Sequence, residues 1–330
     1  MRVLIDNRWD ADTGIGKLYR EVMARAPAHI LPVFVRSRMG LGNLFTPLML
    51  AHEIRRYDAD VFYSPSFMPP LYSHIPVVFT IHDLMHLLYY TRWHRLYYQQ
   101  VIARLAARAS QIITVSEFSK GQLVDLLGID EQLVTVVYNG VDDRYRTNTE
   151  AFESDTPYFL YVGNRRKNKN LPAMLAAFAR AAIPQEYVFL LTGDRDGETA
   201  AHAERLGIGH RVRFLGHVPE ERLPALYRGA HATLFVSLME GFGLPVIESM
   251  AAGTPVLTST AGPLPEVAGD GALCVDPQNV EAIAAGIEVL VADSGRYKQL
   301  KAAGLRRSAH FTWDNTAVQT WKAITDKGQK

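Results

Sequence analysis

Short apolar runs rich in β-branched residues recur along the chain at 3–6, 33–35, 61–64, 77–81, 112–116 and 134–138, and again at 158–162, 188–192, 212–215, 232–236, 255–258 and 272–275. Between them lie longer segments whose apolar residues repeat at helical spacing: 16–26, 47–56, 93–109, 117–127, 171–182, 220–229, 245–252, 279–291 and 294–309, with a last one at 313–325. Continuous apolar strands alternating with amphipathic helices predict parallel sheets covered by helices on both faces. The alternation pauses once, at 141–157, where V-D-D-R-Y-R-T-N-T-E-A-F-E-S-D-T-P is polar and lacks an apolar period. That stretch reads as a linker, so two α/β halves of similar size are expected.

The 330 residues suit two domains of ordinary size. A hydrophobic content of 48% with 21% charged residues supplies two cores, and a net charge of +1 gives no global electrostatic case for nucleic acid. Cys274 is the only cysteine, which excludes an internal disulfide and a multi-cysteine metal site. In A-L-C-V-D it reads as a small buried hydrophobe. The opening M-R-V-L-I-D is too short an apolar run for a signal peptide, and no segment approaches the ~18 apolar residues of a membrane span. The cytosol is the expected compartment.

Open parallel sheets bind ligands beyond the carboxyl ends of their strands, so the loops after strands carry the candidate chemistry. After the first strand, Gly14 and Gly16 precede a helix and let backbone approach an anion. A dinucleotide fold would want a third glycine where Tyr19 stands, and an acid after the second strand where Arg36-Ser-Arg38 stands. Both disfavour NAD. The fourth strand runs into His82 and Asp83 at a ligand-facing end. His86 and His94 follow without the H-E-x-x-H spacing of a metal site. In the second half, Gly163 ends a strand, and Arg165, Arg166, Lys167 and Lys169 crowd the loop before a helix, where an anion relieves their mutual repulsion. The strongest signal is the run from Ser237 to Glu248, S-L-M-E-G-F-G-L-P-V-I-E. Pro245 suits a first helical turn, Gly241 and Gly243 expose N–H groups at its start, and Glu240 and Glu248 flank them with carboxylates suited to hydroxyl-rich ligands. Three Asp-x-Asp pairs, Asp10/Asp12, Asp58/Asp60 and Asp194/Asp196, lack a supporting pattern for a metal, and the pair at 58–60 precedes a strand and reads as a solvated turn.

The run E-G-F-G-L-P-V-I-E resembles the E-x7-E signature of the retaining GT-B glycosyltransferases of family GT4. The resemblance extends over most of the chain: the glycines at 14–16, T-I-H-D at 80–83, T-V-S-E-F-S at 114–119, Y-N-G-V-D at 138–142, Y-V-G-N-R-R-K-N-K-N at 161–170, F-L-G-H-V at 214–218, A-A-G-T-P-V at 251–256 and G-P-L-P-E-V at 262–267. It implies two Rossmann-like domains with parallel sheets facing across a cleft. The acceptor-side domain would be 1–150 and the nucleotide-sugar-binding domain 151–312, with a C-terminal helix (313–330) packing back on the first.

The resemblance also implies roles. Lys169 contacts the donor diphosphate, and with Asn164 at the usual arginine position, Arg165 or Arg166 substitutes. His82 lies near the transferred sugar, and Glu240 contacts it. Phe242, Gly243 and Leu244 present N–H groups to sugar and phosphates, Glu248 binds ribose, and His217 and Val218 border the base. Cations and helix N-termini then replace a metal at the leaving diphosphate, with no cofactor; donors of this kind are worth ~3–4 kcal/mol of barrier. The N-R-R-x-x-K-N form of the phosphate loop resembles that of mannosyl- and rhamnosyltransferases, which suggests a GDP-mannose-type donor and, as acceptor, a glycan or lipid-linked sugar of bacterial polysaccharide or lipopolysaccharide assembly. Arg36, Arg38, Arg92 and Arg95, interspersed with Leu41, Phe45, Trp93 and Tyr97, suit a peripheral membrane contact. The competing readings are a GT-B-like sugar-nucleotide epimerase or hydrolase, a non-catalytic sugar-nucleotide-binding protein and, more distantly, a dehydrogenase.

Overall fold

The structure, a computed structural model, describes residues 1–10, 13–37, 39–40, 43–85, 96 and 98–328. The chain forms two compact units, Met1–Gly140 with Trp313–Lys330, and Val141–Thr312. The first holds the parallel strands β1 (Arg2–Ile5), β2 (Leu31–Phe34), β3 (Val61–Ser64), β4 (Val77–Ile81), β5 (Gln111–Thr114) and β6 (Val134–Val136), in the order β2-β1-β3-β4-β5-β6. The second holds β7 (Tyr158–Tyr161), β8 (Val188–Leu191), β9 (Val212–Phe214), β10 (Ala232–Phe235), β11 (Val256–Ser259) and β12 (Leu273–Val275), in the order β12-β11-β10-β7-β8-β9, again all parallel. Every apolar run read as a strand is one, its ends shifted by at most two residues.

The central strands lack polar alternation because both faces are covered, whereas the edge strand β2 is mostly exposed. In the first unit Leu4, Phe62, Phe79 and Ile112 enter one core with Leu50, Ile54 and Leu123 from helices Thr46–Arg56 and Glu117–Leu127. Their neighbours Val3, Ile5, Val61, Tyr63, Val78 and Ile113 point the other way. They meet Leu18 and Val22 of helix Gly14–Ala24 and Trp313, Trp321 and Ile324 of helix Trp313–Gly328. The Trp321 indole N–H donates to the Val22 carbonyl at 2.9 Å, which satisfies the polar atom of a buried ring. In the second unit Phe159, Tyr161, Phe189 and Leu234 pack under helices Leu171–Arg180 and Val280–Ala292.

Each sheet reverses its strand order beside its first strand. In the first unit β1 lies between β2 and β3; in the second β7 lies between β8 and β10. The chain leaves adjacent strands in opposite directions there and opens a crevice at their carboxyl ends.

Several details depart from the sequence reading. The stretch 141–157 is not a free linker, since helix Arg144–Thr147 lies within it, and Tyr145 is fully buried edge-on to Tyr227 at 5.7 Å. The second unit therefore begins at Val141 rather than at residue 151. Helix Gly197–Arg205 has no counterpart in the apolar pattern, because it buries only Thr199, Ala200 and Ala203. Of the expected helix 93–109, the described part opens with a wide π turn at Tyr98–Ile102 and continues through Ala103–Ala106. Asp58 and Asp60 tether the amino end of β1: Asp58 pairs with the Arg2 guanidinium at 2.8 Å and Asp60 accepts from the Arg2 N–H at 2.7 Å. Cys274 is half-buried, and burial pushes its thiol up from its ordinary value. Among the described residues no helix is long and apolar enough to cross a membrane.

Candidate active site

The loop after β7 begins at Gly163, whose φ of 153° favours glycine, and a Cβ there would lie 3.3 Å from the Tyr161 hydroxyl. That hydroxyl donates to the Asn164 carbonyl and closes the turn. The next residues wind one tight turn, Lys167–Lys169, ended by Asn170 in the left-handed region at φ 58°. Two asparagine side chains then lash this loop to the loop after β10. Asn168 Nδ2 donates to the Met239 carbonyl at 3.0 Å, and Asn170 Nδ2 donates to the carbonyls of Val236 and Pro277 at 3.0 and 2.7 Å. The Leu238 N–H donates to the Asn168 carbonyl at 2.8 Å.

This stitching brings Lys169 to Glu240. The lysine Nζ lies 2.8 and 2.9 Å from the two carboxylate oxygens and 5.2 Å from the centre of the Phe235 ring. The pair sits at the switch point between β7 and β10, with side chains 16% and 8% exposed. The loop after β11 closes the third side: Gly262, at φ 64°, would place a Cβ 3.6 Å from the Glu240 N. Ser237, just past β10, is fully buried with no hydrogen-bond partner for its hydroxyl among the described residues, and a buried unpaired polar atom calls for an explanation such as a ligand.

Gly243 starts helix Leu244–Ala251 at φ 108°, and a Cβ there would meet Leu264 Cδ2 at 2.6 Å. The glycine is thus required by backbone and by packing. Gly241 and Phe242 are buried, and the Phe242 ring stands edge-on to Phe311 at 5.7 Å. The N–H groups of Gly243 and Leu244 stand at the positive end of the helix, with no earlier turn to accept them. In its second turn Glu248 is buried, and Oε2 accepts the Tyr227 hydroxyl at 3.0 Å. Beside Glu248, burial first and then that carboxylate's charge raise the Tyr227 hydroxyl well above its ordinary range, so it stays protonated and donates.

The two arginines of the β7 loop divide. Arg165 is committed: Nε donates to Asp196 Oδ2 at 2.8 Å and Nη1 to the Thr192 carbonyl at 3.0 Å, and its guanidinium lies 5.5 Å from the Phe214 ring centre. Asp196 also caps helix Gly197–Arg205 through the Thr199 N–H. Burial pushes its carboxyl up, but Thr199 and Arg165 outweigh this and hold it below its ordinary value. Arg166 and Lys167 are exposed, with no acidic partner among the described residues. After β9, His217 is exposed and Val218 half-buried, behind a bridge in which Gly193 N–H donates to the Gly216 carbonyl at 2.8 Å. Tyr227, Asn168 and Asn170 are participants the sequence reading passed over, and Asp196 was weighed there only as half of an Asp-x-Asp pair. N-K-N stood within the quoted loop, but only its cation was weighed.

In the first unit, Gly14 opens its helix and the Gly16 N–H is taken by the Thr13 hydroxyl at 3.1 Å, so that amide caps the helix instead of facing a ligand. His82 is half-buried at the end of β4 and its Nε2–H donates to the Pro65 carbonyl at 2.9 Å. Burial holds its pKa below the ordinary value of 6.5 against the opposing pull of that carbonyl and of Asp83. The ring is therefore neutral at pH 7, with Nδ1 as an acceptor. Asp10 pairs with Arg20 at 3.2 Å, while Asp12, Arg38, Leu41, His86, His94 and the membrane candidates Arg92, Trp93, Arg95 and Tyr97 lie outside the described residues. Among the described residues no group of three or more histidines, cysteines or acids could hold a metal ion.

A lysine, a glutamate pair and a helix N-terminus at the carboxyl end of one sheet suit a ligand with a diphosphate at one end and hydroxyls at the other, and comparison of the whole chain gives the class: it is a glycosyltransferase of the GT-B fold. It belongs to the GT4 family, its residues 145–307 matching the model of glycosyl transferases group 1 and residues 10–145 that of glycosyltransferase family 4. The O-antigen chain mannosyltransferase B of Escherichia coli is 30% identical over 300 residues, 85% of this chain and 78% of the relative. The MMP alpha-(1->4)-mannosyltransferase of Mycolicibacterium hassiacum is 30% identical over 244 residues, 69% of this chain and 56% of its own length. Anabaena HepE, solved in complex with UDP and glucose, shares the fold at a TM-score of 0.79 and 17% identity, covering 98% of this chain and 99% of that one.

Proposed function

We propose that the chain moves mannose from GDP-mannose to a glycan or lipid-linked acceptor, with retention of configuration and without a metal. The Lys169–Glu240 pair at the β7/β10 switch point carries this reading. In it Lys169 and the helix start at Gly243 take the diphosphate, Arg166 adds the mobile cation, Glu240 holds the sugar and Glu248 the ribose. Arg165 is a positioning residue in this reading, because Asp196 and Thr192 hold its Nε and Nη1 and leave only Nη2 without a partner among the described residues. As the bond from sugar carbon to phosphate oxygen breaks, its electrons pass to the nucleoside diphosphate. The acceptor hydroxyl bonds to that carbon on the same face, and its proton passes to the departing phosphate. Cations and N–H groups stabilise the developing charge. The mannose donor is supported by the two mannosyltransferase relatives.

The acceptor is held by the first unit in this reading, with a peripheral membrane contact. The described support is a group of exposed apolar residues at one helix start, Leu44, Phe45 and Leu48, 66%, 67% and 58% exposed. The test is release of GDP from GDP-mannose with and without acceptor, in excess EDTA, with the anomeric configuration of the product read by NMR. Acceptor-dependent release that survives chelation is expected. Release without acceptor makes the protein a hydrolase, and full loss on chelation restored by magnesium refutes metal independence. In a thermal-shift panel of nucleoside diphosphates, GDP at 100 times its dissociation constant should stabilise by ~2.7 kcal/mol.

A further inference from the structure

Beyond the carboxyl ends of β1 and β2 the first unit opens a pocket of about 420 Å³, lined by Asn7, Arg8, Val35, Arg36, Ser37 and Met39 among others. Its wall is built around a buried ion pair. Arg8, 7% exposed, donates through Nε to Asp6 Oδ1 at 2.7 Å and through Nη2 to Oδ2 at 2.8 Å, and Asp6 is fully buried. Nη1 donates to the Met39 carbonyl at 3.3 Å. A guanidinium carries five N–H donors, so two of Arg8's have no acceptor among the described residues. Arg36 belongs to the same lining. Its backbone N–H is fixed by the buried Glu53 carboxylate at 3.1 Å, while its exposed side chain meets no acid among the described residues. The carbonyl oxygen of the Asn7 side chain is buried without a partner among the described residues.

The pocket thus presents two guanidinium groups with surplus donors, and the net charge of Asp6, Arg8 and Arg36 is one positive. A carboxylate has two oxygens and satisfies one such fork; a phosphate has enough for both. We propose that this pocket binds the phosphate of a phosphorylated saccharide acceptor, Arg36 supplying the charge and Arg8 a fixed pair of N–H groups. The proposal rests on the reading that the first unit holds the acceptor. It also gives Arg36 a partner other than a lipid surface.

The test is made without membranes and with the donor site filled. In saturating GDP, mannose 1-phosphate and methyl mannoside are titrated calorimetrically into the wild type and Arg36→Gln. Arg36 is exposed, so the variant keeps the fold. The wild type should bind the phosphorylated sugar at least tenfold more tightly than the neutral one, and Arg36→Gln should bring the ratio close to one. Equal affinities in the wild type, no measurable binding of mannose 1-phosphate, a preference that survives Arg36→Gln, or one that appears only when anionic vesicles are added would each overturn the proposal. Failure of GDP itself to bind would instead strike at the donor reading.

Discussion

Both units place a carboxylate and a cation at a sheet's reversal, but the two pairs are built differently. In the first, Asp6 and Arg8 are two residues apart on one loop and clasp through two parallel hydrogen bonds in full burial. In the second, Lys169 and Glu240 arrive on separate loops, 71 positions apart, held in register by Asn168 and Asn170. A guanidinium fork is rigid and gives up its partner only at high cost, whereas an ammonium on a flexible stem turns to a new anion easily. The first pair is therefore part of the wall, and the second, on the proposed reading, is a contact that an incoming diphosphate would rearrange.

The largest expected effect tests the wall. Asp6→Asn leaves the Arg8 charge buried without its counter-ion and should cost ~3–5 kcal/mol in chemical denaturation. A loss under ~1 kcal/mol would erase the contrast between the pairs. Next, Lys169→Ala should lower turnover by ~10²–10³-fold, the usual cost of removing one group that stabilises a leaving charge. Its effect on folding should be smaller than that at Asp6. Glu240→Gln should also damage turnover, yet GDP affinity should hold or rise, because Lys169 is released to the diphosphate. If donor affinity collapses in Glu240→Gln, the carboxylate contacts more than sugar and lysine.

A charged hydrogen bond is worth ~1.5–3 kcal/mol and ~1.4 kcal/mol is tenfold, so Glu248→Ala should weaken GDP by roughly ten- to a hundredfold in calorimetry. Tyr227→Phe removes the donor that orients it and should cost GDP binding less than Glu248→Ala does. Unchanged GDP affinity in Glu248→Ala would remove the ribose role. The smallest effect compares one histidine from each unit. His82 is held below its ordinary pKa by burial, and so is His231, whose ring stacks near Tyr297 and whose Nε2–H donates to the Leu290 carbonyl. A depressed pKa in the native state means stability is complete above pH 6.5 and is lost as pH falls below it, since the unfolded chain takes up the proton first. Thermal melts should show this decline, and His231→Phe should lessen it; an unaltered slope would place the acid sensitivity elsewhere.

The central strands were legible because burial on two faces leaves few charged or polar positions, so runs such as V-V-F-T-I at 77–81 stand out against any helix. The candidate loops after β7 and β10 stood out because glycines and charges cluster there for steric and electrostatic reasons. What stayed hidden depended on small residues or on distant pairing. Helix Gly197–Arg205 buries alanines that carry little apolar signal, and Tyr145 stands seven positions from the only other aromatic of its polar stretch, Phe152, so its burial against Tyr227 left no period to read. The Lys169–Glu240 contact depends on β7 lying beside β10, a matter of sheet order and not of spacing. For the same reason the four cations of the β7 loop looked alike until Asp196 was seen to claim Arg165.

Helix Trp313–Gly328 packs on the first unit although the whole second unit precedes it in the chain. As the protein leaves the ribosome, residues 1–140 emerge without the Trp313 and Trp321 side chains that fill one face of their sheet. The second unit, contiguous from Val141 to Thr312, has all its parts before that helix is made. Domains fold as units during synthesis, most often in chain order. Here the order reverses: the later-synthesised unit completes first, and the earlier one waits for the final helix.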